Sequence, residues 1–267
     1  AINNPDLTKE KIKQLETNEL SFDEFKKEVI NDYRIANESR EASLLGRKEV
    51  LTGKAKFGIF GDGKEVAQLA MAKQFRNGDF RSGYYRDQTF MMAAGLLNVQ
   101  EFFAQLYAHT DVDADPSSAG RQMNAHSATR LLNTDGSWKE LIKLKNSSSD
   151  IPSIASQMPR LLGLALASKI YRGSKDLGKF KQFSNNGNEV AFGTIGDAGT
   201  SEGLFFETFN AAGVLQVPMV ISVWDDGHGI SVSKKYQTTK EDISEILKGF
   251  QRDEENAGYE IFKVMGW

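Results

Sequence analysis

The chain has no cysteine in its 267 residues. Disulfide scaffolds, zinc–thiolate sites, iron–sulfur clusters and cysteine nucleophiles are therefore excluded, and a reducing cytoplasm is the natural setting. An excess of one charge sign is also missing: 33 Lys and Arg against 36 Asp and Glu leave a formal net charge of −3. That balance does not suit a nucleic-acid binder driven by bulk charge, although it leaves room for local basic pockets. Long apolar runs are absent. Leu161–Ala167 and Val217–Trp224 fall far short of the ~20 residues that cross a bilayer. The first residues, Ala1 to Leu7, carry neither a basic lead nor an apolar segment and are read as no signal peptide. No internal repeat or low-complexity tract occurs. What is present is 40% hydrophobic and 26% charged residues, enough for a sizeable soluble core.

Residues 1–54 read as a polar helical extension. Pro5-Asp6 marks a start, with Leu7, Ile12 and Leu15 as sparse apolar positions. Ser21 with Glu24 three residues on is a capping-box pattern that opens a longer helix toward Leu51. From residue 55 to 267 the texture is that of an α/β domain, expected to be truncated at its C-terminal end. Phe80–Tyr85 suggests a short strand, and Phe90–Tyr107 two short helices broken at Gly95. Residues 110–150 show little periodicity, and Ile151–Tyr171 reads as a buried helix. Glu189–Ile195, a helix over Glu202–Leu215 and Val217–Trp224 form a βαβ unit whose strands should be parallel neighbours. A helix over Thr239–Phe250 and a strand near Tyr259–Val264 are expected to follow. The fold class is α/β with a mostly parallel sheet flanked by helices.

Ligands of open α/β sheets sit at the carboxyl edge. The first strand of the βαβ unit runs into Gly196-Asp197-Ala198-Gly199 and the second into Asp225-Asp226-Gly227-His228. Asp197 and Asp226 should therefore approach each other in space. Two hard oxygen donors beside Gly-rich backbone suit Mg²⁺, which completes its octahedron with water and phosphate oxygens. The backbone amides after Gly196 and the start of the next helix can receive those phosphates. Residue types alone leave open that these acids are turn formers and helix caps.

Gly196-Asp197-Ala198 with Asp225-Asp226 resembles the thiamine-diphosphate motif, Gly-Asp-Gly with Asn-Asn about 30 residues on. Three further stretches follow in family order. Tyr85-Arg86-Asp87 resembles Tyr-Arg-Glu, and Gly120–His126 resembles Gly-Arg-Gln-Met-Pro-x-His. Ile154–Pro159 resembles Leu-Ala-Thr-Gln-Ile-Pro. Over residues 45–267 the chain thus resembles the alpha subunit of thiamine-diphosphate-dependent 2-oxoacid dehydrogenases of the pyruvate and branched-chain type. The resemblance implies a thiamine-diphosphate-binding fold, with thiamine diphosphate and Mg²⁺ as cofactors. It implies Mg²⁺ ligation by Asp197, Asp226 and the His228 carbonyl, and diphosphate contacts from Tyr85 and Arg86. It further implies cofactor contacts at Gly196, Ala198 and Gly199, an apolar wedge from Ile154, and a catalytic His126 near the active-site entrance. The implied reaction decarboxylates a 2-oxoacid and passes the acyl group to a lipoyl arm on an acyltransferase component. A beta subunit or beta half would supply the Glu that activates the pyrimidine, so this chain alone is expected to be inactive and to work within an oligomer.

The residues leave bland roles open beside these: a surface ion pair of Arg86 with Asp87, a loop-ordering role for His126, a cap role for Glu202. Three departures from the family pattern stand out. Ala198 replaces a glycine, Asp225-Asp226 replaces Asn-Asn, which adds negative charge near the diphosphate, and Trp224 stands where the family often has Arg or Glu. A second Gly-Asp-Gly, Gly61-Asp62-Gly63, has no ligand pair at the matching spacing and is set aside. Transketolase-like or acetoin-cleaving relatives share the motif, and a scaffold domain that lost the cofactor remains an alternative of another class.

Overall fold

The computed structural model describes residues 21–266. The helix expected around Leu7 and Ile12 lies outside the described residues. Helix α1 (Phe22–Leu51) starts where the capping pattern places it. Ser21 Oγ accepts the Glu24 N–H while the Glu24 carboxylate accepts the Ser21 N–H, so two donors left free by the helix end are satisfied. The second half of α1 packs on α2 (Glu65–Gln74), α3 (Gln88–Ala93) and α4 (Val99–Leu106). Ala42 of α1 joins Ala55, Phe60, Phe102 and Leu106 in one apolar cluster. The break between α3 and α4 falls at Gly95, whose φ of 74° is the left-handed conformation that glycine adopts without a Cβ penalty.

The sheet has four parallel strands in the order β2 (Asn146–Ser147), β1 (Phe80–Ser82), β3 (Ala191–Gly196), β4 (Met219–Trp224). Helix α5 (Gln157–Gly173) precedes β3, and α6 (Gly203–Leu215) makes the crossover from β3 to β4. Strand side chains alternate between faces, and β3 uses both. Ala191 and Ile195 join Met158, Leu161, Phe205 and Phe209 of α5 and α6. Phe192 points the other way, edge-on to Phe75, in a cluster with Phe90 and Met91. Helices therefore cover both faces of the central strand, as a buried parallel strand requires.

Three elements differ from their sequence expectation. Helix α5 begins at Gln157 rather than Ile151, because Ala155 sits at φ 62° and Pro159 is tolerated only in a first turn. The Thr239–Phe250 helix shrinks to α7 (Ile243–Leu247), since Lys240 and Glu241 hold positive φ values of 63° and 54°. Tyr259–Val264 forms no strand. Tyr259 bridges Gln251 and stacks on Phe209 at 3.9 Å, while Phe262 and Val264 stay exposed. The aperiodic stretch 110–150 contains β2 and is held largely by buried polar groups. Asp115, for one, is buried and accepts from Ser118 and Gly120.

Helix α5 lies against the sheet at Gly193, where an added Cβ would stand 2.1 Å from Leu161 Cδ2. Replacing Gly193 by Val should cost about 1–3 kcal/mol of stability by overpacking. Combining it with Leu161→Ala should recover part of that loss, because the two sites share one contact. Denaturant unfolding of the single and double variants checks this; strictly additive losses would show that the contact does not limit the helix–sheet distance.

Candidate functional site

Strands β3 and β4 run in register to their carboxyl ends, with Gly196 opposite Trp224, and the Asp197 N–H donates to the Trp224 carbonyl at 3.3 Å. Beyond β3 the chain turns through Ala198–Ser201. Beyond β4 it makes a small antiparallel ribbon of β5 (His228–Gly229) and β6 (Val232–Ser233). These two loops touch: a Cβ on Gly229 would lie 2.7 Å from the Ala198 Cβ. Asp197, Asp225 and Asp226 thus share one patch. Burial pushes the Asp197 carboxyl above its ordinary value, and Asp225 and Asp226 push it the same way. Asp197 is only 5% exposed, and its Oδ2 accepts no hydrogen bond from any of the described residues. A buried carboxylate oxygen left bare is costly, and in a native fold it calls for a partner such as an ion or water.

Asp226 is more open. Its Oδ1 accepts the His228 N–H at 3.3 Å and its Oδ2 accepts from Lys64 Nζ at 2.7 Å. Burial would raise its carboxyl; Lys64, the His228 amide and Arg86 outweigh that and hold it below the usual value. Arg86 stands in the turn after β1, donates to the Phe60 carbonyl at 2.9 Å and lies over the Tyr85 ring at 5.4 Å. The neighbouring Tyr84 hydroxyl is buried without a partner among the described residues, 3.3 Å from where a Gly196 Cβ would stand. Ile154 reaches Gly199, its Cγ2 3.3 Å from a Cβ placed there. His126 is 2% exposed and packs 6.2 Å from the Tyr85 ring. Its Nδ1 bonds the Asn124 carbonyl at 3.1 Å, while Nε2 has no partner among the described residues. His228 opens β5 with its side chain exposed. The structure therefore gathers Tyr85, Arg86, Ile154, Gly196, Asp197, Ala198, Gly199, Asp226 and His228 around one sheet edge, with His126 behind Tyr85.

The turn that carries Tyr85 and Arg86 is set by a guanidinium with no solvent exposure. Arg81 of β1 bonds Asp87 at 2.8 Å, Asp150 at 3.0 and 3.1 Å, Ser147 Oγ at 2.8 Å and the Tyr84 carbonyl at 3.2 Å. Asp87 in turn accepts from Thr194 of β3 and from the Trp224 indole of β4. Sequence reasoning missed this hub, because its side-chain partners lie 6 to 69 positions away from Arg81. It also missed Lys64, which follows the discarded Gly61–Gly63 loop. That loop lies at the site: Glu65 accepts the Gly63 N–H and pairs with Arg40, and Gly61 abuts the Arg86 carbonyl.

Among the described residues no three His, Asp or Glu side chains converge as a protein-only metal cage. Mg²⁺ does not need one, since it binds through one or two carboxylates plus phosphate and water. The donors present, one bare and buried acid beside a second acid and glycine-rich backbone, fit a phosphate-borne Mg²⁺.

Residues 39–251 match the family described as the dehydrogenase E1 component. The chain is also similar to the 2-oxoisovalerate dehydrogenase subunit alpha of Bacillus subtilis (strain 168), with 29% identity over 200 residues. The alignment covers 74% of this chain and 51% of the relative, so the chain spans about half the length of the curated relative it matches.

Replacing Arg81 by Met should cost about 3–5 kcal/mol, because Asp87 and Asp150 would remain buried without their cation. Chemical denaturation at neutral pH measures it; a loss below about 1 kcal/mol, the value of a surface pair, would contradict the role given to this hub.

Proposed function

The chain belongs to the dehydrogenase E1 component family, and on that premise we propose that it is the diphosphate- and Mg²⁺-binding part of a thiamine-diphosphate-dependent 2-oxoacid dehydrogenase. The observation that carries this reading is the bare, buried Oδ2 of Asp197 next to Asp226 at adjoining strand tips. Asp197 and Asp226 would hold Mg²⁺, with the His228 carbonyl as a third donor. Arg86 would bind the diphosphate by charge-assisted hydrogen bonds, with Tyr85 beside it. Backbone amides at Ala198 and Gly199 would receive phosphate oxygens. Ile154, half exposed above Gly199, would supply an apolar surface for the cofactor's rings. Tyr84 keeps its proton, because burial and the nearby Asp87 raise the phenol well above its ordinary value; its hydroxyl is a ready donor. His126, buried behind Tyr85, would offer its bare Nε2 to the site from that side. When bound, the cofactor supplies the electron sink for decarboxylation.

The activating Glu would come from a beta subunit or beta half, and the acyl group would pass to the lipoyl arm of an acyltransferase component. The substrate would be a 2-oxoacid, in keeping with the name of the Bacillus subtilis relative.

Two measurements test this reading. In calorimetry with the full-length protein and excess Mg²⁺, Arg86→Ala should weaken thiamine-diphosphate binding about tenfold or more, the value of a lost charged hydrogen bond. Asp197→Ala, which removes the carboxylate donor altogether, should lose most of that affinity. Wild-type affinity in both variants would remove the assigned roles. In a decarboxylation assay, the 267-residue chain alone should be inactive and should gain activity when the beta part is added.

A further inference from the structure

Lysine is an unsuitable residue at the start of a helix. It offers no side-chain oxygen to a free N–H, and its charge adds to the positive end of the helix dipole. Lys64 nevertheless occupies the N-cap of α2 and makes no capping bond. Its side chain is only 12% exposed, where lysines normally stay in solvent. A residue that breaks local rules is explained by something distant. Here that is Asp226, 162 positions on, whose Oδ2 lies 2.7 Å from Lys64 Nζ. The adjoining Asp225 has its own lysine, with Lys234 Nζ at 3.3 Å, and Arg86 stands near enough to bias Asp226. Among the described residues Asp197, the third acid, has no cation of its own, and its Oδ2 is bare.

Both Asp226 oxygens are engaged, one by the His228 amide and the other by the ammonium. A divalent cation arriving alone would meet that ammonium at the same oxygen. A cation arriving with a diphosphate brings oxygens to which the ammonium can transfer. Resting on the Mg²⁺–diphosphate reading above, we propose that Lys64 is a positioning residue that couples the two ligands: it disfavours a bare divalent cation at Asp226 and favours the cation together with the diphosphate. By linkage, that coupling works equally in both directions.

The two ligands respond to loss of the lysine charge with opposite signs, which a merely structural role would not produce. In the full-length protein, Lys64→Gln should bind Mn²⁺ alone about tenfold more tightly, read by electron paramagnetic resonance of the free ion. The same variant should bind thiamine diphosphate at saturating Mg²⁺ about tenfold more weakly, read by calorimetry. Lys64→Arg, which keeps the charge, should follow the wild type on both readouts. Lys64→Met, which keeps the apolar stem, replaces the Gln variant if that one unfolds. Weakening of both ligands, or change in neither, would overturn the proposal. Asp197→Ala separates this from the underlying reading. If that variant loses Mn²⁺ while Lys64→Gln behaves as wild type, the metal site stands and the coupling role falls. If Asp197→Ala keeps wild-type Mn²⁺ affinity, the metal site falls and the proposal with it.

Discussion

A single guanidinium sealed between two carboxylates holds this molecule's working edge in place. Arg81 leaves β1 and bonds Ser147 of β2, Asp150 ahead of α5, and Asp87, which continues the network to β3 and β4 through Thr194 and Trp224. All four strands of the sheet are therefore tied to one charge. Removing a charge from water is expensive, and the cost is recovered only where geometry and hydrogen bonding are nearly complete. At Arg81 they are. The consequence is local rigidity in the turn Tyr84–Asp87, which presents Tyr85 and Arg86 beside the tips of β3 and β4.

The buried acids divide by how they are satisfied. Asp87 and Asp150 are saturated by Arg81, by backbone amides and by side-chain donors. Asp197, equally hidden, keeps one oxygen without a partner among the described residues. Saturated acids stabilise a fold; an unsaturated one is tolerated where a ligand completes it. The same contrast separates Tyr84 and His126, each with one bare polar atom near the strand tips, from the hydrogen-bonded Asn124 and Gln105 that hold the loop around His126.

The βαβ unit of β3, α6 and β4 was legible because apolar runs of strand length flank a helix-length segment and end in glycine and aspartate. From that unit the rule that ligands gather at the carboxyl edge points to Asp197 and Asp226. The two-residue strand β2 was not legible, since Asn146-Ser147 carries no periodicity and is held by hydrogen bonds such as Arg81 to Ser147. The helix expected over Thr239–Phe250 failed because its signal is interrupted by left-handed residues that propensity does not foresee. The surplus negative charge read from Asp225-Asp226 is met by Lys234 and Lys64. Only the fold brings Lys64 there, from a loop whose Gly-Asp-Gly looked like an empty copy of the motif.

The central claim is that the tips of β3 and β4 grip one divalent cation, which anchors a diphosphate. A crystal of the full-length protein grown with Mn²⁺ and thiamine diphosphate, with anomalous diffraction recorded for manganese, tests it most directly. The expected result is one strong peak about 2.1 Å from a carboxylate oxygen of both Asp197 and Asp226, with the diphosphate alongside. A peak elsewhere, with the Asp197 oxygen still bare, would contradict it.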